Sequence, residues 1–249
     1  MWAGTGHDWQ TAGEEWSEAW GGSVPHWFST LFPRLHRHLP AKRVLEIAPG
    51  FGRWSRFLIP MTTDYVGIDL SGPCVEGCRN IFADIDHARF EQNDGFSLDI
   101  AEAEFDLIFS FDSLVHAEWD VLEAYIPQIV AKLAPGGVAF IHHSNFMGVG
   151  LALENRHGRA TSVSAAKFAT EVAGAGGKML VQEQINWGAD GPPHLIDCLS
   201  LFCRAADYPH AASVSMQNVR FFAEGEQARL WHAPYNISGA AGGSGAESV

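Results

Sequence analysis

Residues 44–52, Val-Leu-Glu-Ile-Ala-Pro-Gly-Phe-Gly, constrain the rest of the chain more than any other stretch. Val44, Leu45 and Ile47 read as the end of a short buried strand, and Pro49, Gly50 and Gly52 make a turn too tight for bulky residues. Residues 53–58 then open a helix. A strand, a glycine turn and a helix start leave backbone N–H groups facing an open space, an arrangement that holds nucleotide-like or carboxylate-bearing ligands.

The same alternation continues downstream. Residues 65–69 read as a second strand ending in Asp69, 71–82 as a helix with Pro73 in its first turn, and 88–95 as a third strand. Residues 105–110 give a fourth strand, 118–133 a helix, 134–137 a turn and 138–141 a fifth strand. This spacing predicts an α/β fold, a doubly wound, Rossmann-like, mostly parallel sheet. A helix over 165–173 capped by Ser164 precedes two late strands, 178–186 and 195–202, which as an edge hairpin supply an antiparallel late strand. Upstream, Trp9, Trp16, Trp20, Trp27, Phe28 and Phe32 crowd a preamble that predicts helices over 14–20 and 25–38, broken at Gly21-Gly22-Ser23. The expected division is an N-terminal helical lid (1–40), a main domain (41–237) and a disordered tail (238–249). The lid reads equally as a plain cover on the sheet edge or as a cleft wall of Trp16, Trp20 and Trp27.

Charge narrows the partners. The 249 residues carry 16 Lys+Arg against 29 Asp+Glu, a formal −13, with no basic patch of the kind that displaces counterions from nucleic acid. No apolar run approaches the ~20 residues of a membrane span, and residues 1–10 lack the basic start and apolar run of a leader, so a cytoplasmic protein is expected. Cys74, Cys78, Cys198 and Cys203 lack zinc-site spacing and read as reduced, buried thiols.

In an open parallel sheet the ligand lies at the carboxyl ends of the strands, and here those ends gather acids and imidazoles: Asp69, Asp94, Asp112, His142 and His143. An acid 17 residues after Gly52 can accept both hydroxyls of a ribose, and Asp94 followed by Gly95 can accept from a purine amine. Taken singly, each also serves as a cap or turn residue. The turn lacks the third glycine of a dinucleotide fingerprint and the lysine of a phosphate-binding loop, and Glu46 repels pyrophosphate but suits a cation.

These motifs, over residues 43–145, resemble the class I S-adenosylmethionine-dependent methyltransferases. The resemblance implies that Glu46, Ala48, Gly50 and Gly52 hold the methionine part of S-adenosylmethionine, Asp69 the ribose, Asp94 and Gly95 the adenine, and that Phe111 faces the donor. Two stretches, 16–23 and Phe111 to His116 taken with Ile141 to Asn145, are similar to bacterial sugar O-methyltransferases of polysaccharide pathways. Some enzymes of that kind use Mg²⁺ held by acids at the ends of the fourth and fifth strands. Here the fifth strand ends in His-His, and Asp112 with Asp197 is the pair left to share a hard cation.

Methyl transfer to an alcohol needs a base to take the hydroxyl proton, a task suited to histidine. His116, His142 and His143 are the candidates, His143 slightly ahead, with Asp112 as orienting or anchoring acid. Trp16, Trp20, Asn186, Trp187 and His194 are the candidate saccharide contacts, although the 186–197 stretch reads equally as a surface hairpin. The expected reaction is methylation of a hydroxyl of a small saccharide or glycan end, with a homo-oligomer left open. The alternatives are O- or N-methylation of a non-sugar molecule and a non-catalytic S-adenosylmethionine-binding protein.

Overall fold

A computed structural model describes residues 13–100, 104–152, 158–187 and 194–235. The expected tail and the 188–193 turn fall outside the described residues.

Eight strands form one sheet in the order β3-β2-β1-β4-β5-β7-β6-β8. They are β1 (Ala41–Ile47), β2 (Thr62–Asp69), β3 (Ala88–Gln92), β4 (Phe105–Ser110), β5 (Leu133–Ser144), β6 (Gly177–Ile185), β7 (Asp197–Arg204) and β8 (Val214–Asn218). Only β7 runs against its neighbours; all other ladders are parallel. The order reverses between β1 and β4, opening a crevice at their carboxyl ends. The doubly wound sheet with its antiparallel late strand is thus as expected. β8 and the helix that follows it were not anticipated.

The helices are α1 (Ser23–His26) and α2 (Phe32–Leu35), joined by a wider π turn over Trp27–Leu31, then α3 (Ser55–Leu58), α4 (Gly72–Ile81), α5 (Trp119–Lys132), α6 (Phe146–Val149), α7 (Ala165–Gly174) and α8 (Phe221–His232). Ser164 caps α7 by accepting from the Lys167 N–H. No helix among the described residues is long and apolar enough to cross a membrane.

Strand alternation divides the core in two. Val44, Tyr65, Leu107, Phe109, Val138 and Phe140 face Trp20, Trp27, Leu31 and Phe221 from the N-terminal helices and α8. Leu45, Ile47, Val66, Ile68, Ile108, Ala139 and Ile141 face Ile126, Ile129 and Phe168 from α5 and α7. Trp20 and Trp27 are fully buried in the first of these layers, Trp20 donating Nε1–H to Thr30 at 2.8 Å, so they are packing residues and not cleft walls.

The N-terminal helices are tied down by charge as well as by packing. Arg34 of α2 meets Glu183 of β6 at 2.6 Å and Glu224 of α8 at 2.7 Å, and Asn218 bonds both acids. All four cysteines are free and buried.

Candidate active site

A cavity of about 720 Å³ opens at the carboxyl ends of β1, β2 and β4. Its first half is built by the turn after β1. Ala48 (φ 58°), Gly50 (φ 60°) and Gly52 (φ 83°) lie in the left-handed region, and a Cβ on Gly52 would meet the Phe82 ring at 2.6 Å. Asp69 braces this turn: its Oδ2 accepts from the Gly50 N–H at 3.0 Å and its Oδ1 from the Ser71 N–H at 2.8 Å. Burial raises its pKa against the pull of those two N–H groups. Each oxygen keeps a second lone pair for a ligand hydroxyl. Ala48, Pro49, Gly50, Asp69, Asn93 and Gly95 border this half, which fits a nucleoside with a small polar tail.

Three expected cofactor contacts lie off the cavity wall: Gly52, which packs against Phe82, and the acids Glu46 and Asp94. Glu46 belongs to β1 and not to the turn. It is 1% exposed, accepts from Ser55 Oγ at 2.8 Å and from the Tyr65 hydroxyl at 2.5 Å, and is not part of the cavity wall. Burial pushes its carboxyl up to about 7 despite those two donors. Asp94 is exposed and caps a turn, accepting from the N–H groups of Phe96 at 2.8 Å and Ser97 at 2.6 Å, which hold its pKa below the usual range. Its neighbours Asn93 and Gly95 are the residues on the wall.

The second half is aromatic and ion-paired. Trp16, Trp54, Phe111, Trp187 and Phe222 line it. Arg53 lies 4.6 Å from the Trp54 ring and 5.3 Å from the Trp16 ring, and donates to Asp112 Oδ2 at 2.7 Å. Arg159 lies 5.4 Å from the Trp187 ring and grips Asp197, Nε to Oδ1 at 3.0 Å and Nη2 to Oδ2 at 2.7 Å. Burial raises the Asp197 carboxyl, but Arg159 and His142 outweigh it and hold the pKa far below the usual range. Asp112 and Asp197 therefore spend their charge on separate guanidinium groups, which corrects the shared-cation reading. Among the described residues no group of three or more His, Cys, Asp or Glu is placed to hold a metal.

Of the three histidines, only His116 borders the cavity. His142 and His143 are consecutive on β5, so the pleat sends them to opposite faces of the sheet. His143 is fully buried and stacked on Phe168 at 3.9 Å. Its Nδ1 lies 2.8 Å from the Ser144 carbonyl oxygen and its Nε2 2.8 Å from Ser200 Oγ. Burial pushes its pKa down to about 4. His142 is also fully buried, and its Nδ1 accepts the Asp112 N–H at 3.1 Å. Neither is placed to take a proton from a ligand. His116 Nδ1 lies 2.8 Å from the Gly158 carbonyl oxygen, which assigns the proton to Nδ1 and leaves Nε2 as the basic nitrogen. Burial lowers its pKa from 6.5.

Among the expected saccharide contacts, Trp16 and Trp187 are on the wall, whereas Trp20, Asn186 and His194 are not. Asn186 Oδ1 accepts the His194 N–H at 2.9 Å, closing the end of the late hairpin. Arg53, Trp54, Asn93, Glu118, Arg159 and Phe222 border the cavity without having been singled out in the sequence. Arg53 had a signal, as the residue after the last glycine of the turn; Arg159 sits in a stretch with no periodicity to read.

Residues 44–137 match a family model described as a methyltransferase domain. No curated protein matches the chain. Among solved structures, the CcbJ methyltransferase of Streptomyces caelestis is 17% identical, with a TM-score of 0.57 over 75% of this chain and 99% of that one. The N-methyltransferase NodS of Bradyrhizobium japonicum in complex with S-adenosyl-L-homocysteine is 20% identical, with a TM-score of 0.55 over 72% and 86%. A Haloferax volcanii methyltransferase in complex with the Trm112 activator is 18% identical, with a TM-score of 0.57 over 77% and 96%. What the chain shares with all three is the fold.

Proposed function

We propose that the chain is a class I S-adenosylmethionine-dependent methyltransferase, a reading supported by the methyltransferase-domain match over residues 44–137, and that the acceptor is a hydroxyl of a saccharide or related polyhydroxylated small molecule. When bound, S-adenosylmethionine supplies an electrophilic sulfonium methyl group. The observation that carries the reading is the division of one cavity into a glycine-turn half with Asp69 and an aromatic half with Trp16, Trp54 and Trp187. Flat indole walls cover the C–H faces of a sugar ring, and the paired charges of Arg53 and Asp112 offer donors and acceptors to its hydroxyls.

In this reading Asp69, Asn93 and Gly95 hold the nucleoside and the turn at Ala48–Gly50 its amino-acid end. His116 is the general base: its Nε2 takes the acceptor hydroxyl proton, while Gly158 fixes the ring tautomer. Its lowered pKa keeps it largely unprotonated at neutral pH.

The test is turnover of a panel of mannosides, rhamnosides, phenols and amines, by the wild type and by His116→Asn. The expected result is methylation of a glycoside hydroxyl, with the variant's kcat lower by about 10²–10⁴-fold and S-adenosylhomocysteine affinity retained. Turnover confined to phenols or amines sinks the acceptor assignment. Full activity in His116→Asn sinks the base.

A further inference from the structure

Asp112 has a φ of 65°, in the left-handed region that L residues rarely adopt. The groups that hold it come from other elements. Its N–H donates to His142 Nδ1 on β5 at 3.1 Å, and its Oδ2 accepts from Arg53 Nη2 at 2.7 Å. The His142 ring lies 4.6 Å from that of Phe111, the residue before Asp112. Its other nitrogen, Nε2, is 3.3 Å from Asp197 Oδ2, at an angle outside hydrogen-bond geometry. Asp197 is in turn held by Arg159. Phe111, Asp112, Arg53 and Arg159 all border the cavity; His142 and Asp197 do not.

We propose that His142 and Asp197 are positioning residues that fix the acceptor half of the cavity from behind, His142 by holding Asp112 in its left-handed turn and Asp197 by holding the His142 tautomer. The inference rests on the reading of this half as the acceptor site. A ring whose Nδ1 accepts an N–H carries its own proton on Nε2, and a carboxylate 3.3 Å from Nε2 favours that tautomer. Asp112 then presents its carboxylate to Arg53, and Phe111 presents its ring to the cavity, from one constrained dipeptide. A change of tautomer would put two N–H groups face to face and release Asp112. The same Asp197 also orients Arg159 beneath Trp187, so one buried carboxylate serves both walls.

Two substitutions separate positioning from packing. His142→Asn offers a side-chain oxygen near the Nδ1 position and still accepts the Asp112 N–H; His142→Leu fills similar space and accepts nothing. For His142→Leu we expect acceptor kcat/KM to fall about tenfold or more, with S-adenosylhomocysteine affinity within about twofold of wild type. The asparagine variant should recover most of the loss, and a crystal structure of the leucine variant should show Asp112 out of the left-handed region. Equal losses in both variants, no loss in either, or an unmoved Asp112 in the leucine variant overturns the proposal. If the wild type methylates no hydroxyl, the functional reading has failed, and the Asp112 backbone in the leucine variant still decides this one. Should the leucine variant not fold, ¹⁵N NMR of the wild-type imidazole decides: a proton on Nε2 supports the proposal and a proton on Nδ1 refutes it.

Discussion

Glu46 occupies the position that the resemblance assigned to the cofactor, yet it lies inside the sheet. Below about pH 4.5 both folded and unfolded chains carry its proton, and the residue costs nothing through ionisation. Between 4.5 and about 7 the unfolded chain releases the proton while the folded chain keeps it, so stability falls as pH rises, and above 7 the cost is complete. Moving a carboxyl from 4.5 to about 7 corresponds to about 3 kcal/mol. Glu46→Gln cannot ionise, and its oxygen can still accept from Ser55 and Tyr65. Its new amide needs a partner in the core, a cost of about 1–3 kcal/mol that is constant with pH. The diagnostic is therefore the slope. Urea unfolding of both proteins at pH 4.5, 5.5, 6.5 and 7.5 should show the variant gaining about 3 kcal/mol on the wild type across that range.

The comparison with the variant is necessary because the wild-type profile conceals the effect. Burial pushes His143 down to about 4, so as pH falls through 6.5 the unfolded chain takes a proton that the folded chain refuses. That contribution rises with pH between 4 and 6.5 and opposes the fall due to Glu46, and His26, whose buried imidazole is also held well below 6.5, adds to the rise. A wild-type curve that hides the fall due to Glu46, with a sloping difference to Glu46→Gln, is the expected pattern. A difference independent of pH refutes the buried, raised carboxyl. A large loss of S-adenosylmethionine affinity in the variant refutes the placement of Glu46 behind the wall and restores it as a cofactor contact.

Three further outcomes are expected. With His116 as base, kcat should fall on the acid side through a pKa below 6.5, and that limb should vanish in the residual activity of His116→Asn; an unchanged profile in the variant would count against it. Activity should be insensitive to EDTA, since Asp112 and Asp197 are matched by Arg53 and Arg159; restoration by Mg²⁺ after chelation would reopen the cation reading. Arg34→Met should lower stability by about 2–3 kcal/mol by leaving Glu183 and Glu224 facing each other, an effect read by chemical denaturation and absent if the helices are held by packing alone.

The parts of the chain legible in the sequence were those governed by local period. The sheet up to β5 followed from alternating apolar runs and glycine turns, and Asp69 at the end of β2 was found because its place is set by the strand that carries it. The misplacements came from properties that local pattern does not display. Glu46 and Asp94 have the right positions along the chain, but Tyr65 and Ser55 capture one, and the N–H groups of Phe96 and Ser97 the other. β8 is five residues, four of them exposed, with no apolar run to announce it. The histidine pair is different, because the information was present: two consecutive residues in a strand cannot share a face, so His142 and His143 could never both have looked into one cleft.

That alternation also explains why the acceptor half is built of pairs. With β5 sending His142 back behind Phe111, Asp112 and Asp197 are each met by an arginine from a distant segment, Asp112 by Arg53 after the glycine turn and Asp197 by Arg159 before α7. A buried acid left alone would take up a proton or shift the chain, and a buried pair is stable only when its remaining donors and acceptors are also used. Each pair by itself has little net charge to offer an ionic acceptor but oriented dipoles to offer a neutral one. A ligand whose hydroxyls replace water on those dipoles, with its C–H faces against Trp16 and Trp187, meets the cavity without breaking either ion pair. A carboxylate or ammonium on the acceptor would have to compete with Asp112 or Arg53 for a partner already 2.7 Å away. In the panel of acceptors, uronic acids and amino sugars should accordingly show a higher KM than their neutral counterparts, and the reverse order would mean that one of these ion pairs opens when the acceptor binds.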